Sequence, residues 1–97
     1  MQFHAYRLPD GGLVLDMQAD VLSHLLTRLV APLVPEAGTR PVTILEPVLD
    51  VQGARLVLLT SEMMTIRAKL LREPPEARLI DADYTIRNAL DMMFSGF

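Results

Sequence analysis

Thr85-Ile-Arg-Asn-Ala-Leu-Asp-Met-Met-Phe-Ser-Gly-Phe97 decides the fold, because it carries helical periodicity in a chain that otherwise reads as strands. Ile86, Ala89, Leu90 and Met93 fall at i, i+3, i+4 and i+7, the spacing of one helical face. Arg87, Asn88 and Asp91 take the opposite side. Gly96 stands where a left-handed cap ends a helix. Phe97 follows as a large apolar residue that needs cover, either from its own domain or from a partner. At the other end, Asp81 or Asp83 can cap the helix by accepting from free N–H groups of the first turn.

Working upstream, the chain up to Arg72 reads as short strands. Phe3 and Ala5 alternate with Gln2, His4 and Tyr6, which predicts a half-buried strand. Pro9-Asp10-Gly11-Gly12 signals a turn. Leu13, Leu15 and Met17 then alternate with Val14, Asp16 and Gln18, completing a hairpin. Residues 19–27 read either as a helical turn or two around Val21, Leu22, Leu25 and Leu26, or as an exposed apolar loop. Arg28 to Val34 is a third strand, and Pro32 within it predicts an edge or a bulge, since proline cannot donate to a ladder.

Pro35 to Pro41 reads as a loop. Pro47 to Val51 and Ala54 to Thr60 form a second hairpin around Gln52-Gly53, and Thr60 to Met64 is a short link with helical character. Ile66, Ala68 and Leu70 alternate with Arg67, Lys69 and Arg72, a strand with one wet, basic face that either is solvated or docks an acidic segment. Glu73-Pro74-Pro75-Glu76 ends the sheet. The sum is about six strands and one helix, an α+β pattern.

The 97 residues suit one domain, residues 1–97, with a core that has little to spare. Hydrophobic residues make up 51%, so a monomer of this size would expose a sizeable apolar patch, and homo-oligomerisation is the expected remedy. No apolar run is long enough to span a bilayer, and Met1 to Gly12 lacks the apolar core of a signal peptide. The absence of cysteine excludes a disulfide scaffold and a zinc–thiolate site and suits a reducing cytoplasm. Nine basic against twelve acidic residues leave a net charge of −3, which argues against nonspecific duplex binding.

Catalytic signals are thin. His4 and His24 are the only histidines, each beside a hydrophobic position, and a solvent-facing or capping role is expected for both. The acidic residues form no spaced pair or metal motif, and Gly11-Gly12 is a turn rather than a phosphate loop. Ser61 and Ser95 have no predicted base partner. Neither a catalytic residue, a metal nor a cofactor is expected. Met63-Met64 and Met92-Met93 offer adaptable surface, with one member of each pair expected in the core.

The tail and several upstream segments together resemble the CcdB family, the gyrase-poisoning toxins of toxin–antitoxin modules. The tail Arg87-Asn-Ala-Leu-Asp-Met-Met-Phe-Ser-Gly-Phe97 looks like the family's C-terminus. Met1-Gln2-Phe3 matches its opening, Asp16-Met17-Gln18-Ala19-Asp20 its Asp-Val-Gln-Ser-Asp, and Arg28 to Leu33 its Arg-x-Val-Ile-Pro-Leu strand. Pro47-Val48 and Leu59 to Met63 fall where the family has Pro-Val and Thr-x-Met segments. The resemblance implies a small SH3-like barrel with a C-terminal helix, a fold shared with related ribonuclease toxins. It also implies a homodimer that lodges in the dimerisation arm of the DNA gyrase A protein and traps the cleaved complex. A CcdA-like antitoxin with a disordered acidic tail would neutralise it. Carried over by position, the gyrase-binding residues are Val21, Leu22, Asp91, Phe94, Ser95, Gly96 and Phe97.

One departure bears on activity. Ser95 stands where the family's best-known member has a Trp that stacks on a gyrase arginine, and Asp91 stands where the family has Asn. Three outcomes stay open: Phe94 or Phe97 replaces the Trp, gyrase binding is weak, or the target differs. A non-toxic antitoxin-binding relative and a ribonuclease on the same barrel are the alternatives to a gyrase poison.

Overall fold

In a computed structural model that describes residues 1–38 and 44–96, the chain is organised by one long strand that pairs with three others. Strands β1 (His4–Arg7) and β2 (Leu13–Asp16) make the first hairpin, with Arg7 opposite Leu13. Its turn closes through Gly11 at φ +92°, a conformation glycine adopts without penalty, and through Asp10 Oδ1 accepting from Gly12 N at 2.8 Å. Strand β3 (Thr27–Pro35) pairs with β2 along one edge. Its other edge takes β6 (Met64–Arg67) against Thr27 to Val30 and β5 (Ala54–Leu58) against Leu33 to Pro35. Strand β4 (Val48–Val51) completes the second hairpin on β5. Gln52 and Gly53 there have φ of +54° and +86°, the primed turn that matches strand twist.

The result is an antiparallel sheet nearly closed into a barrel, with helix α1 (Asp83–Ser95) packed on it. The α+β small barrel expected from the sequence is the fold. Phe3, Leu15, Ala31, Leu33, Leu58 and Ile86 lie in one core cluster, so the helix joins the strands through Ile86, with Leu90 packed alongside.

Several local readings change. β1 is not half-buried: His4, Ala5 and Tyr6 are all buried, because the curled sheet has packed groups on both of its faces. Pro32 lies at neither an edge nor a bulge but inside β3, opposite Val14. Its carbonyl accepts from Leu59 N at 2.9 Å just past the last β3–β5 pair, so the missing N–H costs one bond only where the β3–β5 pairing ends. The strand read through Arg72 stops at Arg67. There Ala68 N donates to Leu26 O, and a 3-10 turn over Ala68–Leu70 follows.

The sheet does not end at Glu76. A two-residue strand β7 (Ala77–Arg78) adds to β1, too short to leave a periodic signal. Neither Asp81 nor Asp83 caps α1. Ala82 holds the N-cap position with no side-chain bond, because a 3-10 turn at Ile80–Ala82 leads into the helix. Of the loop read at Pro35 to Pro41, Pro35 closes β3 and residues 39–41 fall outside the described residues. Met63 packs on the core and Met64 is exposed, whereas Met92 and Met93 are both only half-buried.

Candidate functional site

The surface that carries the predicted residues is built from the end of α1 and from the loop after β2. Along α1 the buried face is Ile86 and Ala89, and it runs out near Leu90. Beyond it Phe94 is 75% exposed. Gly96, at φ +74°, donates its N–H to Met92 O at 3.0 Å and ends the helix in the predicted left-handed cap. Asp91, Ser95 and Gly96 are exposed beside Phe94, and Phe97 lies outside the described residues.

The loop is fixed from below by Gln18. Its Nε2 donates to Leu22 O at 3.1 Å and to Thr27 O at 3.3 Å, while its Oε1 accepts from Leu29 N at 3.1 Å. Asp20 Oδ1 accepts from Gln2 N at 2.7 Å. With both ends tied, the span holds only a 3-10 turn at Asp20–Leu22, and its apolar side chains stay outside. Val21 is 81% and Leu26 88% exposed. Of the two readings of residues 19–27, the exposed apolar loop is therefore the dominant one. Periodicity places Gln18 as one more outward residue of its strand and does not reveal the bracing role.

Beneath that brace lies a buried ion pair that the sequence did not betray. Asp16 is fully buried and accepts from Arg28 at 2.5 Å, from the Met1 amine at 3.2 Å and from Gln18 N at 3.1 Å. Tyr6 donates to Glu73 Oε1 at 2.9 Å, and burial followed by that carboxylate raises its pKa well above the ordinary value. An Asp and an Arg twelve residues apart become partners only through the β2–β3 register.

The structure brings Asp20 to the start of α1: Gln2, Phe3, Asp20, Ile80, Asp83 and Arg87 line one shallow cleft. Arg87 lies over the Phe3 ring at 5.4 Å and pairs with Asp83 one turn back. Phe94 to Gly96 stand further along the same helix, roughly 10 Å from Arg87 at the usual helical rise. Val21 and Leu22 thus follow Asp20 near the start of α1, whereas Asp91 and Phe94 to Gly96 lie at its other end. The basic face also divides. Arg67 and Lys69 border a cleft with Leu25 and Leu26, while Arg72 lines another with Arg7 and Leu8.

Chemistry has little to build on here. His4 is neither solvent-facing nor capping. It is buried with both ring nitrogens unpartnered among the described residues, and its pKa is lowered by burial first, then by the nearby Met1 amine and Arg78. His24 is exposed in the loop. Ser61 Oγ donates to Glu46 Oε2 at 2.8 Å. Among the described residues no cluster of His, Asp or Glu could hold a metal ion. No described helix is long and apolar enough to cross a membrane.

A small antiparallel barrel that holds apolar loop residues and a helix-end phenylalanine in solvent has the make-up of a protein-recognition module. The chain belongs to the CcdB family: the family's model, CcdB protein, matches residues 2–96. Membership supports a toxin of a toxin–antitoxin module. Among curated proteins none matches the chain.

Proposed function

We propose that this protein poisons DNA gyrase as a cytoplasmic homodimer that works by binding, without chemistry of its own. The surface of Val21, Leu22, Asp91, Phe94, Ser95, Gly96 and Phe97 engages the dimerisation arm of the gyrase A protein. The cleaved gyrase–DNA complex is thereby held, and a CcdA-like antitoxin with a disordered acidic tail neutralises the toxin. The observation that carries this reading is Phe94, a large aromatic 75% exposed at the end of a helix whose inner face is already satisfied. An apolar ring left in water by a fold with core positions one turn away supports a partner that covers it.

Ser95 decides how that partner is held. Serine offers no ring to stack on an arginine, and Phe94 beside it is an exposed aromatic able to do so. The anchor is therefore assigned to Phe94. Calorimetric titration against a gyrase A arm fragment tests it. Phe94→Ala should weaken binding by about 2 kcal/mol, roughly thirtyfold. Ser95→Trp should tighten it by restoring the family's stacking surface. If neither variant changes the affinity, the helix end is not the gyrase site. Ser95 also favours a second reading, a relative that binds antitoxin or another target. A wild type that ignores the arm fragment would move the assignment there.

A further inference from the structure

The edge of β6 is the strongest feature outside the surface just assigned. β6 pairs with β3 alone, so its second edge is open among the described residues. Ala68 N donates to Leu26 O, which makes Thr27–Arg67 a non-bonded pair and Arg28–Ile66 a bonded one. The peptide groups of Met64 and Ile66 therefore face β3. Those of Thr65 and Arg67 point away from it, and among the described residues nothing hydrogen-bonds to them.

The strip beside this edge is apolar and basic. A cleft of about 370 Å³ is lined by Leu25, Leu26, Thr27, Arg67, Ala68 and Lys69. Leu26 is 88% exposed, and neither Arg67 nor Lys69 forms an ion pair among the described residues. Two unpaired cations stand together on a chain whose net charge is −3. A second copy of this chain would bring no complement, because Met64 to Lys69 contains two cations and no acid.

We propose that the open edge of β6 docks an extended acidic peptide segment, which adds to the sheet as a strand. It deepens the toxin reading above, on which it rests, by giving the antitoxin's acidic tail a footprint. Main-chain bonds to Thr65 and Arg67 supply register. Side chains on one face of the added strand meet Met64 and Ile66 and call for apolar residues. Those on the other face meet Arg67 and call for acidic ones, so the segment alternates the two.

The test is nuclear magnetic resonance titration of the full chain with a capped peptide of alternating valine and glutamate, a valine–lysine peptide serving as control. The Thr65 and Arg67 amides should shift and gain protection from exchange with the glutamate peptide only. Thr65→Pro, which deletes an outward N–H without touching the β3 ladder, should abolish binding. Arg67→Glu with Lys69→Glu should weaken it about tenfold while keeping the edge intact, and it serves alone if the proline variant fails to fold. Absence of binding, equal binding of the lysine peptide, or shifts centred on another strand overturn the proposal. So does prior protection of both amides in the peptide-free protein, which would mean that a second copy holds the edge. The gyrase arm titration runs separately: binding of the arm without the peptide sinks the docking strip alone, and binding of the peptide without the arm sinks the gyrase reading alone.

Discussion

His4 is the residue whose environment departs furthest from its chemistry. A ring with two polar nitrogens is buried with no partner for either among the described residues, a cost that folding must offset elsewhere. Charging it would be worse, and its pKa is accordingly lowered, first by burial. A folded-state value below the ordinary one of about 6.5 means that the unfolded chain binds the proton more readily. Stability is therefore fully present above that value and falls as pH drops through it. Denaturant unfolding at about pH 8 and about pH 5.5 should show this loss in the wild type, and His4→Leu should flatten it. An unchanged pH slope in the variant would mean that another group carries the acid sensitivity. Asp16 and Arg28 differ from His4 in that each buried charge meets its complement, at 2.5 Å, although Arg28 Nε is also buried without a partner among the described residues; the contact ties β2 to β3 against a desolvation cost.

At the scale of elements, α1 shows what a sequence can and cannot reveal. Its face of Ile86, Ala89 and Leu90 and its Gly96 cap were legible because a helix of thirteen residues repeats its period several times. Its start was not, because an aspartate near a helix is a common cap, whereas here a 3-10 turn delivers the chain already coiled. Both hairpins were legible from their turn residues, since Gly11 and the Gln52–Gly53 pair sit where positive φ is required. Pro32 misled for a good reason: whether a missing donor matters depends on which neighbour stands opposite, and that is a property of the whole sheet. β7 and the loss of β6 at Arg67 are likewise set by what the strands meet. The exposed residues of the candidate surface could be named only through the resemblance, as periodicity marks what is buried and not what a partner touches. The same division gives a prediction for the tail. Deletion of Ser95, Gly96 and Phe97 should leave the thermal midpoint nearly unchanged, because the inner face of α1 ends near Leu90. It should abolish binding to the gyrase A arm. A large fall in the midpoint would make the tail a structural element.

For the whole molecule, the question is where the surplus apolar surface goes. Over half of the residues are hydrophobic, 51%, yet the barrel encloses only a modest core, and Val21, Leu22, Leu25, Leu26 and Phe94 remain outside. Isolated exposed apolar residues are ordinary on a monomer; here four share one tethered loop and Phe94 stands at the helix end, while Met1, Ile44, Met64, Ile80 and Tyr84 are exposed elsewhere. The proposed homodimer would account for the helix end: two α1 helices side by side would cover Met92 and Met93, which are half-buried in the single chain, and would set two Phe94 rings near a common axis. A pair of rings so placed grips a two-fold symmetric target at two points, and the second contact forms at the high effective concentration that the first provides. Light scattering of the purified protein at micromolar concentration should therefore give about twice the 10.8 kDa chain mass. Introducing Met93→Glu should shift that mass towards the monomer by burying like charges across the axis, while the fold persists because Met93 lies beyond the core. A wild type that scatters as a monomer would leave each Phe94 to act alone, and the bipartite grip on gyrase would have no structural basis.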